Sequence, residues 1–282
     1  MLLITNKKYL KLIYTIKKKL QLLFKKFTYG LFKLIYGEIR DFEAFENVSN
    51  SKILISQIDN QHQYKVYVIN KARIYTDTIN DTAIIKNNKI IQGPSFQIRN
   101  TKFKSVKENI VLYKGTPRLK KKIKGKVFSL LTGGAGNFNY WHWLFDVLPR
   151  IKIIQNVINL DDIDYFLLPN LENKFQIETL ALIGIPVKKR LSSLKSRHIE
   201  CDQIITTDHP YVLNNDATQS IQNLPSWIIS WLKKTLVNEK NLEDNGFPKN
   251  FYIDRSDAHP NIANLRKIVN EPDVTNCLKK KG

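Results

Sequence analysis

Cysteine and methionine are scarce in this 282-residue chain, which holds two Cys and one Met. Cys201 and Cys277 cannot build a disulfide framework or a four-cysteine metal site, and so few thiols suit a reducing compartment. Eleven Gly and ten Pro exclude a collagen-like or low-complexity chain, and 43% hydrophobic with 25% charged residues is ordinary globular composition. No run of 18 apolar residues occurs, which argues against a transmembrane helix. The Gly-Lys-Ser/Thr ending of a Walker loop is missing, as are G-x-G-x-x-G and the G-x-S-x-G nucleophile elbow. The five histidines, at 62, 142, 198, 209 and 259, show no H-x-H or H-E-x-x-H spacing, and no metal site is expected.

Acidic residues are also few: 25 against 45 basic ones, for a net charge of +20. A lysine-, isoleucine- and asparagine-rich composition can follow from AT-rich coding sequence alone. The functional alternative is attraction to a polyanion, whether nucleic acid, an anionic membrane face or a phosphorylated substrate. Residues 1–40 carry ten Lys or Arg and one acid, Glu38. Within them Tyr9, Ile13, Ile16, Leu20, Leu23, Phe27, Leu31 and Leu34 recur at steps of three and four, which predicts a helix. Lysines flank this apolar stripe, as a helix lying in a membrane surface requires. Packing on its own domain is the competing reading, and contact with nucleic acid the weakest. The lysines interrupt any apolar core and no small-residue cleavage site follows, so a signal peptide is a poor fit.

Residues 52–112 read as β-rich. Lys65 to Ile69 and Ala72 to Tyr75 alternate, and Asn87-Asn88 is a good hairpin turn between Ala83–Lys86 and Lys89–Ile91, because Asn tolerates positive φ. Gly115 to Lys122 reads as a linker with a solvated basic run. From residue 125 the pattern becomes strands alternating with helices: strands at 127–131, 164–169, 203–207 and 251–254, helices at 140–154, 174–184, 225–237, 264–269 and 273–280. That alternation predicts a parallel α/β sheet.

Chemistry concentrates in Gly133 to Asp146. A glycine loop between a strand and a helix can bring N–H groups to an anion, a weak signal by itself. On the helix, Asn139, His142 and Asp146 lie at i, i+3 and i+7 and share a face. An imidazole with a carboxylate one turn away suits general-base work on a hydroxyl. A helix-capping Asn and a buried structural His–Asp pair are the plainer reading. A second candidate is Arg255, delivered by the strand Phe251–Asp254 into the loop after it, a standard ligand position. There it can clamp a phosphate or merely pair with Asp254 or Asp257.

Three segments together resemble glycosyltransferase family 61, often labelled capsular polysaccharide biosynthesis proteins in bacteria. They are Asn139-Tyr-Trp-His142-Trp-Leu-Phe-Asp146 with Pro149-Arg150; Phe166-Leu-Leu-Pro169 with Glu178, Leu182 and Gly184; and Tyr252-Ile-Asp-Arg255 with Ala258, Arg266, Asn270 and Glu271. The resemblance covers roughly 65 to 282. It implies an α/β fold of the two-domain GT-B kind, with a β-rich N-terminal region and a Rossmann-like C-terminal half. That half is expected to be incomplete, because the family pattern continues beyond the position of Gly282. The domains then run 1–45 (basic amphipathic helix), 46–224 (acceptor side) and 225–282 (start of the donor side). The implied reaction is inverting, metal-independent transfer of a sugar from a nucleotide-sugar donor to a hydroxyl of a glycan or lipid-linked glycan acceptor, in surface polysaccharide synthesis and without a cofactor. His142 or Asp146 would be the base, Asn139 would position substrate, and Arg255 with Arg266 would neutralise the leaving phosphate. Residues 1–37 would hold the enzyme on the anionic cytoplasmic face of the cell membrane, and no nucleic-acid partner is expected. The alternative is a non-catalytic membrane- or polyanion-binding remnant of such an enzyme.

Overall fold

A computed structural model describes residues 2–78, 81–95, 97–99, 102–133, 138–212, 217–237 and 270–281. The chain divides into two compact units, 1–237 and 238–282.

In the first unit, helix α1 (Leu2–Tyr36) is followed by strands β1 (Asp41–Ala44), β2 (Ser51–Gln57), β3 (Gln63–Thr76), β4 (Thr82–Lys86), β5 (Lys89–Gln92), β6 (Ile98–Arg99) and β7 (Lys102–Phe103). Helix α2 (Ile110–Lys114) leads to β8 (Lys121–Ser129). The helical stretch α3 (Tyr140–His142) and α4 (Pro149–Gln155) then precedes β9 (Tyr165–Leu168). Helix α5 (Lys174–Leu182), β10 (Arg190–Ser192), β11 (His198–Thr207), α6 (Ala217–Gln222) and α7 (Ser226–Leu236) complete the unit. Of the second unit, helix α8 (Glu271–Lys281) is described, and it matches the helix expected at 273–280.

Nine strands form one sheet in the order β1-β5-β4-β3-β11-β8-β9-β10, with β2 also on β3. The expected parallel α/β half is β11-β8-β9-β10, whose neighbours all run parallel. The expected β-rich half is antiparallel from β2 to β5 and joins it through the β3–β11 pair. The two strands anticipated at 65–69 and 72–75 are one. β3 runs through Lys71, at φ +50°, and pairs with β2 along its first half and β4 along its second. Being central, it is buried on both faces over most of its length, so its apolar run is near-continuous. The Asn87-Asn88 turn is present with both residues at positive φ (+50° and +57°), the geometry that matches hairpin twist.

The basic run at 118–122 is a correction. It is not all linker, because β8 begins at Lys121 and pairs Lys121 and Lys122 with Ile199 and Glu200 of β11. The lysines lie on the strand's exposed positions, and Lys120 forms an ion pair with Glu200. Helix α7, which the sequence reading groups with 225–282, buries Trp227, Ile228 and Leu232 in the core cluster that also holds Trp143, Val147, Ile151 and Phe166.

Helix α1 is bare over much of its length. Every residue from 11 to 27 is exposed, including Ile13, Ile16, Leu20, Leu23 and Phe27 of the apolar stripe. Its C-terminal end is fastened: Tyr36 meets His198 edge-on, 5.0 Å between centroids, and its hydroxyl accepts a hydrogen bond from Lys120 N (3.0 Å). No helix among the described residues is long and apolar enough to cross a membrane.

Candidate active site

The site lies beyond the carboxyl ends of the neighbouring parallel strands β8 and β11, where α/β sheets place ligands. One element is the helical stretch after β8. Its first turn is capped by Asn139, whose Oδ1 accepts from Trp141 N (3.0 Å) and His142 N (3.4 Å). Such caps satisfy N–H groups that a helix start leaves unpaired. Asn139 is therefore held as the cap.

The helix anticipated at 140–154 is not regular. Trp143–Val147 forms a π-turn, with Leu148 N donating to Trp143 O (3.1 Å). Pro149 supplies the reason: it has no N–H to give and its ring would crowd the carbonyl four residues earlier. Widening the preceding turn removes the conflict, and such turns recur at functional sites. Trp143, Val147 and Ile151 face the core at 0% exposure, as their spacing anticipates. Trp143 Nε1 is pinned by Thr179 Oγ1 (2.9 Å).

His142 and Asp146 meet as expected: His142 Nδ1 lies 2.9 Å from Asp146 Oδ2. They do not share a surface, however. The His142 side chain keeps about a third of its surface exposed (31%) while that of Asp146 keeps 3%. Burial alone would raise the Asp146 pKa, but the hydrogen bond from His142 and the proximity of His209 outweigh it and hold the group at about 2. An ionised carboxylate only accepts, so His142 Nδ1 carries its hydrogen, and in the neutral ring the lone pair is on Nε2. The arrangement presents an imidazole base with a carboxylate behind it.

The second element is the loop after β11, Asp208-His209-Pro210-Tyr211. Tyr211 Oη donates to Asp146 Oδ1 (2.7 Å). Burial and the Asp146 charge both push the Tyr211 pKa up, which keeps that donor protonated. His209 is 3% exposed, and its Nδ1 accepts from Tyr211 N (3.4 Å) and Val212 N (3.2 Å). Nδ1 is therefore unprotonated and Nε2 bears the hydrogen. Nε2 lies 3.8 Å from Asp146 Oδ2, within ion-pair range but beyond a hydrogen bond. Tyr64 Oη donates to Pro210 O (2.7 Å) and is itself met by Trp227 Nε1 (3.0 Å), which ties this loop to α7.

Arg150 locks the two elements together. It is fully buried, and its guanidinium donates to Leu131 O (2.7 Å), Thr206 Oγ1 (2.5 Å) and Thr207 Oγ1 (2.9 Å). Burial pulls its pKa down to about 9, with Asp208 and Asp146 pulling the other way, so it stays charged at neutral pH.

Sequence reasoning assigns no role to His209, Tyr211 or Arg150 in the site. A usable signal existed for the first two: a polar Asp-His-Pro-Tyr loop directly after a predicted strand. Nothing local marks it as a neighbour of Asp146, 65 positions away from Tyr211. The sequence also contains an Asp-x-Asp pair, Asp162 and Asp164, but it lies at the amino end of β9. There Asp164 Oδ2 accepts from Lys126 N (2.7 Å). Among the described residues no group of three or more His, Cys, Asp or Glu is arranged to hold a metal ion. Arg255, Arg266 and the strand expected at 251–254 lie outside the described residues, as does the centre of the glycine loop, 134–137.

A family model described as Glycosyltransferase 61 matches residues 140–282, just over half of the chain. No curated protein and no solved structure matches it.

Proposed function

This chain belongs to glycosyltransferase family 61 and is a glycosyltransferase; from that premise we propose that it moves a sugar from a nucleotide-sugar donor to a hydroxyl of a glycan acceptor, with His142 as the base. The observation that carries the assignment is the ordered pair: buried, ionised Asp146 fixes Nδ1–H of His142 and leaves Nε2 free on the partly exposed side. Nε2 takes the proton of the acceptor hydroxyl as its oxygen attacks the anomeric carbon. The bond to the donor diphosphate breaks, and the new positive charge on the imidazole faces the Asp146 carboxylate. Asn139 acts through the helix cap. Arg255 and Arg266 are the proposed partners of the departing phosphate, on the donor side that a GT-B reading gives to 225–282. Direct displacement inverts the anomeric centre and uses no metal.

The exposed apolar stripe and lysines of α1 support a peripheral position on an anionic membrane, such as the cytoplasmic face where lipid-linked acceptors for surface polysaccharides would be met. This reading differs from a non-catalytic remnant by its use of His142. The test incubates the full chain with a panel of uridine- and guanosine-diphosphate sugars and glycan acceptors, reading product and its anomeric configuration by NMR. Turnover with inversion, unchanged by a chelator and lost in His142→Ala, is the expected result. Turnover that survives His142→Ala would remove His142 as the base.

A further inference from the structure

A cavity of about 490 Å³ opens beside the catalytic cluster, within the size range of small-molecule sites (about 300–1,000 Å³). Its lining does not include His142, and nothing in the mechanism above uses it. Its lining includes His209, Asp208, Lys65, Lys104, Phe103 and Ser105. Resting on the glycosyltransferase reading, we infer that this cavity is an acceptor subsite that selects glycans bearing an anionic substituent, a carboxylate or a phosphate.

Three observations carry this. First, the cavity is joined to the chemistry through one side chain: His209 lines it, and the same ring points Nε2 at Asp146 Oδ2 (3.8 Å). Phe103 meets His209 edge-on, 5.7 Å between centroids, so the wall next to the cluster is aromatic. Aromatic surface beside polar groups suits a sugar ring, which has apolar C–H faces and polar edges.

Second, the charge in the cavity is cationic. The lining holds two ammonium groups: Lys65, which attracts the Asp208 carboxylate, and Lys104, which has only a loose partner, Glu108, at 3.9 Å. The one carboxylate, Asp208, is already engaged: Oδ2 accepts from Lys65 N (2.8 Å) and Oδ1 from Tyr67 Oη (2.9 Å). Two ammonium groups against this one carboxylate leave the lining with a net positive charge for an anionic substituent to meet.

Third, the walls are fixed by the fold. Lys65 and Tyr67 stand on β3, and Asp208 follows directly from β11. The ladder between those strands extends to Thr207↔Val66 and continues as Asp208 N to Lys65 O (2.9 Å). A preformed backbone wall lowers the ordering cost of binding to that of the lysine side chains.

The test is ligand-observed saturation-transfer NMR on the full chain without donor, using glucuronic acid, glucose 6-phosphate, glucose and inorganic phosphate. Monosaccharides make the result independent of linkage. The two acidic sugars should bind at least fivefold more tightly than glucose, with weakening as salt rises. The Lys65→Ala/Lys104→Ala variant should lose that preference while retaining the parent circular dichroism and melting temperature. Only one acidic sugar binding would assign the substituent as carboxylate or phosphate and uphold the proposal. Glucose binding as tightly as both acidic sugars, or an unchanged preference in the double variant, would overturn it. Displacement of the acidic sugars by equimolar inorganic phosphate would also overturn it, by showing a bare anion site. His142→Ala should leave this binding intact while abolishing transfer. Loss of transfer in the parent chain would therefore refute the functional reading without touching the binding result, and the converse holds as well.

Discussion

Replacing Asp146 by Asn probes the buried carboxylate with almost no change of shape. Oδ2 receives His142 Nδ1–H and faces His209 Nε2–H, while Oδ1 receives Tyr211 Oη–H. An amide placed there keeps its oxygen at the Oδ2 position, because an NH2 would meet two donors. The amide nitrogen then faces the Tyr211 hydroxyl, which can accept. His142 keeps its orientation and tautomer, so the loss is one of charge. A hydrogen bond to a charged group is worth roughly 1.5–3 kcal/mol against about 1 for a neutral one. The protonated imidazole formed during transfer loses that difference plus the charge attraction, together about 3 kcal/mol, which corresponds to roughly a hundredfold in rate. Stability changes too. The folded Asp146 pKa is about 2 against an ordinary 3.8. A depressed carboxyl pKa stabilises the fold above the ordinary value, and the contribution is lost as pH falls through the folded one. Here it amounts to about 2 kcal/mol at neutral pH. Urea unfolding at pH 7, 5 and 2.5 should show Asp146→Asn less stable by about that amount at pH 7 and 5, with the gap closing from pH 4 downward. A gap that stays constant to pH 2.5, or turnover within threefold of the parent, would refute the reasoning.

Three further outcomes follow from other parts of the molecule. Arg150→Met leaves Leu131 O and the Thr206 and Thr207 hydroxyls without a buried donor. At about 1–3 kcal/mol each, the urea midpoint should fall by at least about 3 kcal/mol of stability, and a smaller loss would mean that Arg150 does not lock the loops. Gly125→Ala should destabilise by more than about 1 kcal/mol, because Gly125 sits at φ +102° and an added Cβ would come 2.2 Å from Asp164 Oδ2; thermal melting reads this directly. Removing residues 1–27 should leave the melting temperature unchanged, since the fastened part of α1 begins later, and should abolish salt-sensitive binding to anionic vesicles in a flotation assay. Retained binding would place the membrane contact elsewhere.

Much of the architecture was legible from local pattern. The period-3.6 stripe of α1, the Asn87-Asn88 hairpin and the strand–helix alternation after residue 125 each report a short-range constraint: a backbone period or a turn geometry. The i, i+4 spacing of His142 and Asp146 made their contact legible as well, because a single helical turn brings such residues together. Which member faces solvent was decided only by packing. The π-turn imposed near Pro149 and the loop after β11 bury Asp146 and leave His142 at the surface, and neither is written in the spacing of two residues. His209 and Tyr211 joined the site only when β11 was laid beside β8. That register is fixed by burial of both sheet faces and by backbone pairing across about 80 residues of chain. Likewise, Lys65 and Asp208 came to line one cavity through the β3–β11 pair. Sequence alone determined which local elements form and where a base with its carboxylate could arise. The tertiary structure determined which groups share an enclosed space, because that depends on long-range strand pairing and desolvation, which no local window contains.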